Sequence, residues 1–313
     1  MVKDVINLGS SSKGNAYFLN IIKKNDYAYW DNNEESFGLL IECGFPFDEL
    51  SRKLREQSKG RFSMVNVKAV LITHRHGDHA HAVKELLDLG KTVYAPQEVF
   101  DTHGIDNVND TRYKGFAIPL EETVRKLITP GISVIPFKLE HDEKKNMLNA
   151  NKELLSKVID YNENEYLINY GYIITVDKKY NILFFIDTMF MPFNLNATGI
   201  KFNMIFGEAN YFSTPIYFAY ERAKEEMNYG NIKRYERLLY SHMSVETFIK
   251  TINGLDLTNC ERIFVMHTSS SERVTGDEIK YYQYIKKNIK PYHRRDLKIL
   301  VCKGDGNYAT GSI

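Results

Sequence analysis

Residues 70–82 read VLITHRHGDHAHA, so that His74, His76, Asp78, His79 and His81 follow directly on an apolar run. The chain has only nine histidines in 313 residues, which makes this concentration a chemical feature. A strand ending at Thr73 delivers His74 and His76 to the same side of an extended segment, because alternate residues point the same way. Gly77 permits a sharp turn, after which Asp78 and His79 face a second position close to the first. Imidazoles and a carboxylate, with no thiolate, favour zinc first and manganese second. His81 points into the following helix and is read as an outer or solvent-facing residue.

One loop cannot complete two metal positions, so further ligands must arrive from elsewhere. Three strand ends offer them: FKLEHD brings His141, LFFIDT brings Asp187 and IFVMHT brings His267, each just past a buried apolar run.

The elements that must position these residues are legible as apolar runs over 17–22, 37–43, 67–73, 91–96, 131–139, 170–176, 181–187, 202–208, 262–267 and 297–302. Helical patterns fall at 47–57, 81–90, 214–228, 244–254 and 276–289. Gly90 stops the second of these, while Ser244 caps the start of the fourth and Gly254 its end. The alternation predicts a layered α/β architecture, and no Pro-, Gly- or Ser-rich linker divides the chain. A single domain over 1–313 is expected, with polar insertions near 23–36 and 143–166.

Composition narrows the setting. The formal net charge is +1, which argues against indiscriminate binding of nucleic acid over the whole surface. A local basic run, KKNIKPYHRRDLK at 286–298, reads equally as a solvated helix end or a phosphate-facing patch. Cys43, Cys260 and Cys302 lie far apart and form no CxxC pair, so neither a disulfide framework nor a thiolate zinc site is indicated. No signal peptide or membrane span is evident, and a cytoplasmic protein without membrane contact is expected.

The HRHGDH loop followed by His141, Asp187 and His267 in order resembles the metallo-β-lactamase-fold hydrolases. The opening NLGSSSKGNAYFL, the later GEANY at 207–211 and SHMSVE at 241–246 resemble the WalJ/YycJ-like branch, which is similar to tRNase Z and other phosphodiesterases. Two departures stand out: Glu42 occupies a supporting position where that family usually has Asp, and HTSSSERV replaces the usual His-Leu-Ser at the last motif.

The resemblance implies a four-layer αβ/βα sandwich with two divalent ions at one edge. His74, His76 and His141 would hold the first ion, Asp78, His79 and His267 the second, with Asp187 bridging. Two such ions lower the pKa of a shared water and clamp a phosphate oxygen. Asp78 would orient the resulting hydroxide. His242 would protonate the leaving alkoxide with Glu208 fixing its tautomer, and Ser10, Ser11, Ser12 and Asn15 would either contact phosphate or form a purely structural turn.

The expected function is a metal-dependent phosphodiesterase with a nucleic acid or nucleotide substrate. A cyclic or small-nucleotide phosphodiesterase, a thioester or lactam hydrolase, and an inactive binding protein on the same fold are the alternatives. The sequence leaves a homo-oligomer open.

Overall fold

A computed structural model describes residues 1–24, 34–141, 167–268, 278–289 and 297–308. The insertion expected at 143–166 lies outside the described residues. So do residues 25–33 of the other insertion, which joins the facing ends of β2 (Gly14–Lys24) and β3 (Glu34–Ile41). Most of HTSSSERV and the middle of the basic run at 286–298 also lie outside them.

The first sheet has the order β1-β2-β3-β4-β5-β6. Its antiparallel part is β1 (Val2–Ser11), β2 and β3, after which β4 (Val67–Leu71), β5 (Thr92–Ala95) and β6 (Ala117–Pro119) add in parallel. The second runs β13-β12-β11-β10-β9-β8-β7. Here β7 (Lys126–Thr129), β8 (Ile132–Lys138) and β9 (Tyr170–Val176) are antiparallel, and β10 (Tyr180–Phe185) completes that part. Then β11 (Met204–Glu208), β12 (Arg262–Met266) and β13 (Lys298–Val301) follow in parallel.

Side-chain alternation explains the layers. Tyr17, Leu19, Leu39, Ile41 and Leu71 from the first sheet pack against Tyr172, Ile174, Phe184, Phe206 and Phe264 from the second, forming the central core. The opposite faces carry separate cores. On the first sheet, Phe18, Leu40 and Val70 meet Leu50 and Leu54 of α1 (Phe47–Gln57), Val83 and Leu86 of α3 (Val83–Asp88), and Phe100 of α4 (Gln97–Thr102). On the second, Leu183, Ile205 and Val265 meet Phe248 and Ile252 of α7 (Val245–Asn253) and Tyr281 and Ile285 of α8 (Glu278–Asn288). Helix, sheet, sheet and helix make the four expected layers.

A hairpin of α5 (Ser213–Glu225) and α6 (Tyr229–Ser241) builds its own small core around Ile216, Ala223 and Tyr235. No described helix is long and apolar enough to cross a membrane.

Most expected elements form within a few residues of their sequence bounds, and α1 falls on 47–57 as read. Ser244 does cap α7, its hydroxyl accepting a bond from the Thr247 amide at 3.1 Å. The helix expected over 81–90 instead divides into α2 (Gly77–Ala80) and α3, with His81 exposed between them. Gly77 opens α2 with ordinary φ, and a Cβ there would meet open space. The chain reverses through a short helical turn rather than through glycine's extra freedom.

Gly44 is the glycine the site depends on. A Cβ at this position would stand 1.7 Å from the carbonyl oxygen of Asp78. The close approach lets Cys43 N–H bond the His79 carbonyl at 2.8 Å and Gly44 N–H bond the Asn15 carbonyl at 3.0 Å. Gly44→Ala should therefore displace the HRHGDH loop and cost at least about 2 kcal/mol. Chemical denaturation checks this; a midpoint within error of the parent would show that the loop yields freely.

Candidate metal centre

The side chains gather at the carboxyl ends of strands from both sheets, where open parallel sheets place their ligands. Past β4 come Thr73, His74 and His76, with α2 adding Asp78 and His79. Past β8 stands His141, past β10 Asp187, and past β12 His267, while Glu208 ends β11. Glu42, Asp187 and His267 hold the left-handed backbone conformation, with φ of 64°, 51° and 51°. Each costs roughly 1–2 kcal/mol for an L-residue. The chain turns inward sharply at these points and aims each side chain into one space.

Three overlapping groups of potential ligands result. His74, His76, His141 and Asp187 form the first, Asp78, His79, Asp187 and His267 the second, and Asp187, Glu208, His242 and His267 a third. In the first, His74 Nε2 and His141 Nε2 lie 3.1 Å and 3.3 Å from His76 Nδ1, and 3.7 Å and 3.5 Å from Asp187 Oδ2. Ligands ~2.1 Å from a tetrahedral ion stand about 3.4 Å apart, so these spacings suit a common cation. In the second, His79 Nε2 lies 3.2 Å from Asp187 Oδ2 and 3.5 Å from Asp78 Oδ2, while His267 Nδ1 is 3.0 Å from Asp187 Oδ1. Asp187 thus faces both of these groups.

Outer contacts orient the rings. His141 Nδ1 donates to the Ser241 carbonyl at 2.9 Å, leaving Nε2 with its lone pair toward the cluster. His74 Nδ1 sits 2.9 Å from Thr73 Oγ1. Glu42, fully buried, accepts from the Thr73 amide at 3.2 Å and stands 3.7 Å behind His79 Nδ1. The longer acid therefore keeps a supporting place behind a candidate ligand. Asp187 is pinned through its carbonyl, which accepts from Asn169 Nδ2 at 2.5 Å.

The electrostatics call for positive charge. Burial holds His74 well below its usual range and His141 down at about 4, so both imidazoles are neutral near pH 7. His76 is lowered by burial against the pull of Asp187, with Arg237 among the positive charges that add to the effect. His79 and His267 go the other way: burial opposes their charge, but Asp187 overrides it, lifting His79 well up and His267 to about 10. Protons and cations compete for these two rings. His267 Nε2 is buried without a hydrogen-bond partner among the described residues, while Asp187 Oδ1 is met by the His267 imidazole at 3.0 Å. A buried polar atom without a partner is uncommon, and here it suits a divalent ion. The donors are nitrogen and oxygen only, since Cys43, Cys260 and Cys302 are buried outside the cluster and form no disulfide.

Glu208 and His242 stand against this cluster. His242 Nδ1 lies 2.8 Å from Glu208 Oε1, and the same oxygen is 3.0 Å from His267 Nδ1. Thr188 N–H donates to Glu208 Oε2 at 2.8 Å. Burial would raise Glu208, but His242 and His267 lower it. His242 terminates α6, and the preceding Ser241 carbonyl receives His141, which ties the pair to the first ligand group.

The serine segment is the end of a hairpin, with Ser11 facing Gly14 across β1 and β2. Ser10 is buried, its hydroxyl 2.6 Å from Tyr17 Oη and accepting from the His267 amide at 2.7 Å. Asn15 is turned inward, 3.1 Å from His79 Nε2. Ser11 is half-buried, and Ser12 is exposed on the wall of a cavity of about 170 Å³ beside the cluster.

That cavity also holds residues the sequence reading missed. Arg234 and Arg237 of α6 line it together with Asn210, His242 and His267. Their spacing of three on a helix leading to His242 was the available signal, but α6 itself was not anticipated.

The comparisons fit this geometry. No curated protein sequence matches the chain. Among solved structures, the metallo-β-lactamase fold protein YhfI from Bacillus subtilis is similar at 12% identity, covering 96% of each chain with a TM-score of 0.57. Zn(2+)-bound PqqB from Methylobacterium extorquens has 12% identity and a TM-score of 0.54, with 96% of this chain and 98% of that one covered. A long form RNase Z from yeast gives 12% identity and a TM-score of 0.53 over 85% of this chain and 38% of its own. The family described as beta-lactamase superfamily domain matches residues 38–267. With its two-sheet sandwich and its His/Asp cluster suited to divalent metal, the chain belongs to the beta-lactamase superfamily and has the metallo-β-lactamase fold.

Proposed function

We propose that this protein is a metal-dependent phosphodiesterase acting on nucleic acid. His74, His76 and His141 would hold one divalent ion, Asp78, His79 and His267 would hold a second, and Asp187 would serve both. The observation that carries the reading is the buried Glu208–His242 pair, 2.8 Å apart and in contact with the ligand His267. A hydrolase whose leaving group is a good one needs no such acid; an alkoxide leaving a phosphodiester does. The similarity to a yeast RNase Z, and the WalJ-like opening segment, support the same reading.

When bound, a pair of divalent ions supplies a nucleophile from water near neutral pH and stabilises charge on phosphate oxygen. The chain's residues supply the rest. Asp78, the ligand carboxylate most open to solvent, accepts a hydrogen bond from the attacking water and aims it. His242 Nδ1–H donates to Glu208 Oε1, which leaves Nε2 to pass its proton to the departing oxygen. Glu42 steadies His79 from behind, as outer carboxylates do for ligating imidazoles.

Product analysis on labelled DNA, RNA and cyclic nucleotides, with zinc or manganese added, tests the proposal. Cleavage of an internal phosphodiester in DNA or RNA is the expected result. Turnover confined to cyclic nucleotides, or to thioesters and lactams, would overturn it. Within this account His76→Ala should lose the first ion and keep the second, since His76 belongs to one group only. Metal content falling by about half checks this, and an unchanged content would remove His76 from the ligand set.

A further inference from the structure

The cavity beside the cluster has a charge pattern that metal binding and proton transfer leave unused. Arg234 and Arg237 are exposed on its wall, and among the described residues neither makes an ion pair or a hydrogen bond. Their neighbours on the hairpin are paired locally: Arg222 with Glu226 at 2.7 Å, Lys224 with Glu221 at 3.0 Å, and Glu236 with Tyr220 at 3.0 Å. Glu221, Glu226 and Glu236 are thus engaged elsewhere. Three residues apart on one helix, the arginines share a face.

Position adds direction to the charge. The same wall includes His242 and His267, so the arginines lie on the side where His242 meets the leaving group. A volume of about 170 Å³ matches roughly six water molecules at ~30 Å³ each, enough for a phosphate and part of its sugar. Asn210 and Ser12 add polar groups to that wall. Guanidinium forks suit phosphate oxygens, and two of them suit a dianion better than a neutral ester arm.

We propose that Arg234 and Arg237 form a receptor for a second phosphate, carried on the leaving-group side of the scissile phosphodiester. The preferred substrate is then a polynucleotide or a phosphorylated dinucleotide, and a cyclic nucleotide lacks the group the receptor takes. This rests on the phosphodiesterase reading for its direction, and its test is separable from that reading.

The test is calorimetric binding to the zinc-reconstituted full chain. The probes are thymidine dinucleotides with an uncleavable methylphosphonate linkage, either bare, 5′-phosphorylated or 3′-phosphorylated. One phosphorylated form should bind at least ~10-fold more tightly than the bare one, and the gain should shrink as salt is raised. R234A/R237A should lose the gain, while R234K/R237K keeps part of it. Both side chains are exposed, so thermal melting should show the variants folded. No gain from phosphate at either end, or a gain that survives in R234A/R237A, overturns the proposal. A full gain in a protein that cleaves no nucleic acid leaves the receptor standing and removes the phosphodiesterase reading. Cleavage of unmodified dinucleotide without any phosphate gain does the reverse.

Discussion

Replacing Asp187 by Ala should empty both metal positions together. Its Oδ2 faces His74, His79 and His141 within 3.7 Å, and its Oδ1 stands 3.0 Å from His267, so among the described residues it alone belongs to every group of potential ligands. Loss of an outer carboxylate typically weakens a metal 10–100-fold; loss of a direct ligand to two ions should exceed about 100-fold at each. The effect extends beyond metal. Asp187 is held well below the usual carboxylate range because burial, which would raise it, is outweighed by His267, His79 and His141. Without it, these crowded imidazoles lose the negative charge at their centre. Competition against a chelator measures the affinities. Retention of one tightly held ion in the variant would show that Asp187 serves a single site.

His242→Ala should behave quite differently. Its ring contacts Glu208 and lies in the cavity wall; it belongs to the third group, with Asp187, Glu208 and His267, whereas the first and second groups are complete without it. Metal should therefore stay, while an alkoxide-leaving substrate slows by about 100-fold or more, the usual size of a general-acid contribution. An aryl ester whose leaving group has a low pKa should slow far less. Glu208→Gln should give a milder form of the same pattern, because it disturbs the orientation of the imidazole without removing it. Equal losses on both ester types would assign His242 to structure, and loss of metal would assign it to ligation.

How much of this could be read in the sequence differs from residue to residue. The ligand loop was legible because four histidines and an aspartate follow an apolar strand, and a strand's period fixes which residues share a side. His141, Asp187 and His267 were legible for a related reason: each is the polar residue that ends a buried run. Their left-handed backbone was not, since nothing in the residue types of Asp187 or His267 announces a positive φ; packing at the sheet edge imposes it. Gly44 looked ordinary because its role depends on the carbonyl of Asp78, a residue distant in sequence.

Some elements were hidden by composition. Strand β1 carries Asp4, Asn7 and two serines, and it is held by pairing with β2 rather than by its own apolar pattern. The tip of that hairpin consequently read as a phosphate contact or a structural turn, whereas Ser10 is buried in the strand and supports the His267 backbone. Helix α6 begins at Tyr229 with Gly230 and Asn231 in its first turn, residues that suggest a break, and Asn228 caps it by accepting from the Asn231 amide. Missing α6 meant missing the arginines beside the cavity.

Two ions around Asp187 are what the proposed chemistry requires. Elemental analysis of the purified chain, reconstituted separately with zinc and with manganese and freed of loosely held ions, counts them directly. Close to two ions per chain are expected with at least one of the metals; a content near zero with both would show that no metal centre forms around Asp187.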